Sequence, residues 1–482
     1  MSSSRGAVVI GAGPNGLAAA VTLARAGVPV TVYEAAETIG GGTRTVELVQ
    51  PGVLHDVCSA IHPMALATEF FRKFELSRRV EFIVPDASYA NPLEGTRAAM
   101  AYRDLDRTAK ELGNDGAAYA RFYRPLLRHL EGVIDFSLGG SMLRWPTNMP
   151  AAIATALRTA EQGTPLWNLR FREEFAPALI SGVAAHSIGR MPNLATAAVG
   201  TVLGALGHAS GWPVPVGGSR AITEALAADL LVHGGRIETG RAIDSIDEFG
   251  DAVVLFDTSA RGLERIAGSR LPKNYRRALS KFRYGNAATK VDFVLDGPIP
   301  WSDPRVNAAP TVHLGGSRTE GAAAERVVAR GGHPGRPYVL LAQPTEFDPE
   351  RNPAGVNAVW SYTHVPAGST VDMAPAVIAQ IERFAPGFRD RIQAVNVTTA
   401  ADFAGYNRNY IGGDFSAGAV SLLQLVKRPV VAQDPWRTPA KGVYLCSSST
   451  SPGPGVHGLS GWYAALSALK HEYGLPAPDL SM

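Results

Sequence analysis

The apolar positions of the chain fall into two rhythms. One is the unbroken run, seen in Ala7-Val8-Val9-Ile10, which predicts a short strand buried on both faces. It leads into Gly11-Ala12-Gly13-Pro14-Asn15-Gly16, then an alanine-rich stretch that stops at Gly27, then Val28-Pro29-Val30-Thr31-Val32-Tyr33-Glu34. That order predicts strand, glycine turn, helix and second strand, a βαβ unit. The other rhythm recurs every three or four residues in 119–136 and 151–157, and it predicts helices through most of residues 100–210. Residues 191–219 carry no formal charge, but their apolar centre, 194–206, falls short of the roughly 20 residues needed to span a bilayer. A buried helix or tunnel wall is expected there. Ser219 opens, and Gly234-Gly235 closes, a helix over residues 221–233. Strands are expected at 236–239, 242–246, 288–295, 338–343, 358–363 and 442–446, and a mobile loop at the Gly-, Ala- and Arg-rich stretch 321–335.

The first βαβ unit has the residue types of a dinucleotide site. Gly11 permits the tight turn, Gly13 lets backbone approach a pyrophosphate, and Gly16 lets helix pack closely on strand. Pro14 suits the first helical turn, and the free N–H groups there, Asn15 included, face an anion at the positive end of the helix dipole. Glu34, at the end of the second strand, can accept from a ribose hydroxyl and disfavours a 2′-phosphate. After Ala35-Ala36-Glu37-Thr38-Ile39 comes a second cluster, Gly40-Gly41-Gly42-Thr43-Arg44. It lets backbone lie against a flat or anionic group and offers a planar fork of donors.

With these motifs the chain resembles the FAD-dependent oxidoreductases of the amine oxidase and phytoene desaturase superfamily. Residues 51–63 and Tyr89-Ala90-Asn91-Pro92-Leu93 resemble its phytoene-desaturase-like branch. So does the far end, where a strand at 442–446 and a serine- and glycine-rich loop precede Gly455-Val456-His457-Gly458. The resemblance implies an α/β fold, a Rossmann-type FAD-binding domain of the two-dinucleotide-binding-domain type with an inserted α+β substrate domain. It places residues 1–90, 211–269 and 421–482 in the first and 91–210 and 270–420 in the second. It also puts Ile243 beside the adenine half of FAD, and Ser449, Gly455, Val456, His457 and Gly458 beside the flavin. Gly453, Gly455 and Gly458 repeat the glycine spacing, but too little chain follows to supply another ribose-binding strand.

Composition narrows the rest. A net charge of +3 gives no argument for nucleic acid. Two cysteines, Cys58 and Cys446, supply neither a disulfide framework nor a CxxC redox pair, and no metal site is expected. No apolar segment precedes the first strand, so the expected place is cytoplasmic, peripheral to a membrane at most. Arg121, Arg124, Arg128, Arg144 and Trp145, and the basic run from Arg270 to Arg283, fit a solvated face first and a lipid surface second.

The resulting expectation is hydride transfer from a C–H or CH–CH bond of a small apolar, isoprenoid- or carotenoid-like substrate to FAD, with dioxygen or a quinone as diffusible acceptor. His457 is the first candidate for tuning the flavin, with His62, His186, His208 and Trp462 as cavity candidates. Trp212 has the same setting. An amine oxidase, a redox-neutral flavin isomerase and a non-enzymatic flavin-binding interaction protein are the alternatives. Oligomeric state is not legible.

Overall fold

The computed structural model describes residues 5–95 and 97–482. Its strands form two large sheets. The first has five parallel strands in the order Val443–Leu445, Val253–Phe256, Ala7–Ile10, Val30–Tyr33 and Arg236–Glu238. The central strands Ala7–Ile10 and Val253–Phe256 are buried at every position, as a parallel sheet covered on both faces requires. The helix Pro14–Arg25 lies on this sheet, and its Leu17, Val21 and Leu23 share one core with Leu226 and Leu230 of the helix Arg220–Val232 and with Leu459 and Ala465 of the helix Leu459–Ala468. The two ends of the chain are thereby joined.

The second sheet has seven strands in the order Ile392–Thr398, Ala287–Leu295, Asn357–Val365, Val339–Ala342, Thr311–Leu314, Ala87–Pro92 and Ala98–Tyr102. Its two nine-residue strands pair antiparallel from Ala287↔Val365 to Leu295↔Asn357. Only Thr311–Leu314 and Ala87–Pro92 run parallel. Six helices between Leu105 and Ala209 pack over this sheet, among them Gly116–Arg128, Leu130–Leu138, Met149–Gly163, Phe175–Ala184 and Leu194–Ala209. No helix among the described residues is long and apolar enough to cross a membrane.

Three expected features differ. Residues 242–246 run without ladder pairing into the short 3-10 turn Ile246–Phe249, and the strand beside Ala7–Ile10 is instead Val253–Phe256. Residues 321–335 are not a loop throughout. The helix Arg318–Val328 is capped by Ser317, and its Glu325 is buried against His364, whose Nδ1 lies 2.6 Å from Oε1. Strand Ala87–Pro92 belongs wholly to the second sheet, so the expected boundary at residue 90 falls inside a strand.

A buried ion pair ties the small hairpin of Thr45–Glu47 and Leu54–Asp56 to the turn Pro349–Arg351. Asp56, at the end of the strand Leu54–Asp56, accepts from Arg351 Nη2 at 3.0 Å, from Thr45 Oγ1 at 2.6 Å and from the Ser219 amide at 2.8 Å. Burial opposes its charge, but these partners, Arg351 first, hold the Asp56 carboxyl below the usual carboxylate range. Asp56→Ala leaves Arg351 buried without its partner. It is expected to cost about 3–5 kcal/mol, read as a lowered denaturation midpoint by calorimetry or urea titration; an unchanged midpoint contradicts this role.

Candidate functional site

One cavity of about 1230 Å³ reaches from the first glycine turn to the second sheet. It is larger than the ~300–1,000 Å³ that holds a drug-sized ligand, so it has room for a dinucleotide and a substrate together.

Its nucleotide end is built almost entirely from backbone. Gly11, Gly13, Pro14 and Asn15 line it beside Gly41 and Gly42, with Glu34, Ala35, Arg44, Ile243, Gly455 and Val456 alongside. Gly11 has φ +105°, and a Cβ added to Gly41 would come within 3.0 Å of the Gly13 Cα, so the two glycine clusters abut as only glycine allows. Glu34 is held by the amides of Ala12 and Ala36 at 2.8 and 2.9 Å and by Arg44 Nη2 at 3.2 Å. Arg44 does not present a free fork. It also donates to the Thr38 carbonyl at 2.7 Å and to Tyr406 Oη at 3.2 Å.

Several sequence-predicted residues support this wall from behind. Gly16 donates to Asp257 Oδ2 at 2.9 Å, and Thr43 Oγ1 donates to the Gly40 carbonyl at 2.8 Å. Ser449 Oγ donates to the Ala417 carbonyl at 2.8 Å. Gly458 takes a left-handed φ of 67° as the N-cap of Leu459–Ala468. His457 is fully buried: its Nδ1 accepts from the Leu459 amide at 3.0 Å, so the proton sits on Nε2, 3.1 Å from the Gly453 carbonyl. Its imidazole braces the turn and is absent from the cavity wall.

Two other expected cavity residues also lie elsewhere. His208 is buried between the Tyr102 carbonyl and Tyr119 Oη, at 2.7 and 2.9 Å, and Trp462 packs against Phe70 in the core. Both had only apolar neighbours in sequence to place them, and burial decided otherwise. His62, His186 and Trp212 do line the cavity. Ser219 Oγ donates to the Ser59 carbonyl at 2.6 Å, so at 2.8 Å it accepts from His62 Nε2–H. Burial lowers the His62 pKa to about 4, which keeps this imidazole neutral.

The sequence reading missed Asp257, although the run Val253-Val254-Leu255-Phe256 before it had the look of a strand. Asp257 lines the cavity beneath the glycine turn, where a Cβ at Gly13 would meet its Oδ2 at 2.6 Å. It supplies the cap that Gly13, the N-cap of Pro14–Arg25, cannot give through a side chain. Trp360 and Tyr362, on one face of Asn357–Val365, were missed as well.

The family model for flavin containing amine oxidoreductases matches residues 15–466. The chain belongs to this family. Its cofactor is FAD, and it is a FAD-dependent oxidoreductase. The mouse protein called pyridine nucleotide-disulfide oxidoreductase domain-containing protein 2 is 27% identical, the match covering 95% of this chain and 92% of that protein. Among solved structures, wild-type putrescine oxidase bound to putrescine superposes with a TM-score of 0.60 at 14% identity, over 97% of this chain and 99% of the other. Cyclohexylamine oxidase from Brevibacterium oxydans gives 0.56 at 15%, over 97% and 99%. An oxidoreductase from Methanosarcina mazei gives 0.59 at 15%, over 96% and 99%. At such identities these structures are alike in fold.

The residues present fit the cofactor. The abutting glycines leave a cradle that any Cβ would fill, and Asn15 Oδ1 is buried there without a protein partner. Asp257 is the group least suited to a diphosphate neighbour, but burial, with Glu34 adding to it and the Gly16 amide opposing, raises its pKa from 3.8 to about 7. Because the folded value lies above the unfolded one, the folded chain holds a proton that the unfolded chain releases in this window. Stability contributed by Asp257 is therefore full at the acid end and is lost as pH climbs toward about 7. Asp257→Asn is expected to remove this slope. Thermal midpoints of parent and variant between about pH 5 and pH 8 should diverge as pH rises, and parallel curves would contradict it.

Proposed function

We propose that this oxidoreductase acts on a C–H or CH–CH bond of an apolar, isoprenoid- or carotenoid-like substrate, in the manner of a phytoene dehydrogenase-like desaturase. Residues 1–90, 211–269 and 421–482, less the strand Ala87–Pro92, carry the nucleotide in this reading, and the remainder carries the substrate. The observation that supports it most is the distribution of charge. Both carboxylates that line the cavity, Glu34 and Asp257, lie at the glycine turn. The wall built by Leu194–Ala209 offers Leu194, Ala198, Val199, Val202 and Leu203. Among the described residues, no acid lines that side to receive an ammonium group.

Bound FAD supplies a hydride-accepting centre. The residues of the chain orient and exclude. The two glycine clusters hold the nucleotide, the helix Leu194–Ala209 keeps water from the reacting C–H bond, and His62, neutral and fixed by Ser219, borders the junction of the two ends. With the cofactor bound, dioxygen or a quinone would serve as the diffusible acceptor of the electron pair.

A second reading, amine oxidation, draws support from Trp360 and Tyr362, edge to face at 5.1 Å on the cavity wall, an aromatic pair of the kind that receives an amine. Anaerobic mixing of the holoenzyme with polyenes, amines and alcohols separates the two. Bleaching of the flavin band by polyenes, those with a terminal hydroxyl included, is expected; bleaching by amines alone overturns the first reading in favour of the second.

The cavity mouth supports lipid contact. Met142 and Leu422 both line it and stand exposed, and the apolar rim continues to Trp145, 85% exposed, and Leu423, 74% exposed. An apolar rim continuous with an apolar cavity fits a bilayer surface from which such a substrate enters. The nearby basic residues are partly committed, Arg124 to Asp106 and Arg144 to Asp135. Co-sedimentation with phosphatidylcholine vesicles is expected, and the pair Trp145→Ser, Leu423→Ser should lower the bound fraction several-fold. Equal sedimentation of parent and variant contradicts the rim's role.

A further inference from the structure

The substrate end of the cavity is largely apolar, and His186 is a polar group on its wall whose hydrogen-bonding state the surrounding structure dictates. Asn91 Nδ2 donates to the Ala178 carbonyl at 3.0 Å, so its Oδ1 is the group that faces His313 Nδ1 at 3.1 Å. An amide oxygen only accepts, hence His313 carries its proton on Nδ1. Its Nε2 is then bare, and His186 Nε2, 2.9 Å away, must donate to it. The proton of His186 is thus committed to the protein. Its Nδ1 keeps a lone pair, has no protein partner among the described residues, and belongs to a ring on the cavity wall beside Thr311 and Leu340.

The dyad is held rigidly. Tyr338 stacks on His313 at 6.2 Å and 22°, and donates its hydroxyl to the Gly182 carbonyl at 2.8 Å. Trp212 meets both imidazoles edge-on, at 5.3 and 5.9 Å. A Cβ at Gly182 would strike the Asn91 amide and come within 2.9 Å of His313 Cβ, so the helix Phe175–Ala184 makes room for the relay only as glycine. Burial lowers the His186 pKa to about 3 and takes His313 well below its ordinary value, so both rings are neutral at physiological pH. A neutral imidazole whose one proton is spent inward accepts and does not donate.

We infer that His186 Nδ1 is a hydrogen-bond acceptor that reads a donor group, a hydroxyl or an amine N–H, on an otherwise apolar substrate. This rests on the reading of an apolar substrate in that cavity and narrows it: a pure hydrocarbon leaves the lone pair desolvated and unpaired, whereas an alcohol or amine at the end of an apolar tail satisfies it.

The test uses the holoenzyme and a matched pair, a long-chain prenol and its methyl ether, titrated by perturbation of flavin absorbance. The prenol should bind about tenfold tighter than the ether. His186→Phe should abolish that preference, and His186→Asn, which keeps an amide oxygen near the Nδ1 position, should retain part of it. With histidine isotopically labelled, the nitrogen resonance of His186 Nδ1 should be pyridine-like and should move with prenol but not with ether. No preference in the parent protein, a preference surviving in His186→Phe, or a protonated Nδ1 overturns the inference. If neither compound binds, the apolar-substrate reading fails, and the labelled spectrum alone then decides: a bare Nδ1 sustains the acceptor, a protonated one removes it.

Discussion

The fold depends on an approach of backbone to backbone at the start of the helix Pro14–Arg25. A Cβ at Gly461 would strike the Asn15 carbonyl, one at Gly16 would strike the Gly11 carbonyl, and one at Gly41 would press on Gly13. Three chain segments, two N-terminal and one C-terminal, therefore meet with no side chain between them. Amide groups stay directed at the cavity in consequence, at the positive end of a helix whose own cap is borrowed from Asp257. A nucleotide site made of backbone tolerates little rearrangement, because any added carbon displaces main chain rather than a flexible side chain.

The substrate half is held by a different device. Its core and its border with the other half are crossed by polar pairs, most of them fully buried: Asp56 with Arg351, Lys290 with Asp292, Glu325 with His364, and His186 with His313. Such pairs contribute little net stability, since desolvation offsets most of the attraction, but a partner left alone is costly. Where such a pair joins separate segments, as Glu325 of the helix Arg318–Val328 does with His364 of the strand Asn357–Val365, it acts as an alignment device. A slip of that strand in register would part the pair and leave both groups buried alone.

The cavity inherits both designs. One end is a rigid backbone cradle; the other is a wall of small and branched apolar side chains with few polar atoms. The fold is that of proteins named for putrescine, for cyclohexylamine and for no particular substrate. That spread fits one fold serving different substrates, and function must be argued from the site.

The nucleotide turn was readable because glycine spacing, a following helix and a strand ending in Glu34 are local facts, each set by the conformations a residue type permits. The strand Val443–Leu445 and the long antiparallel strands were readable from apolar runs for the same reason. Val253–Phe256 carried that signal and was passed over for residues 242–246, where Ala242, Ile243 and Ile246 also suggest a strand but Ile243 is buried against a helix instead of in a ladder. The helix Arg318–Val328 looked like a loop because its alanines and glycine say little until Glu325 finds His364 from 39 residues away. The histidines show the limit most clearly. All sit among small apolar residues in sequence, yet His62 and His186 face the cavity while His208 and His457 brace backbone behind it. Residue type and spacing determined the phosphate turn and the fold class, because backbone conformation and periodicity are short-range. Which side chains share the cavity was decided only by tertiary packing, because burial and partner choice depend on segments that the chain brings together from hundreds of residues apart.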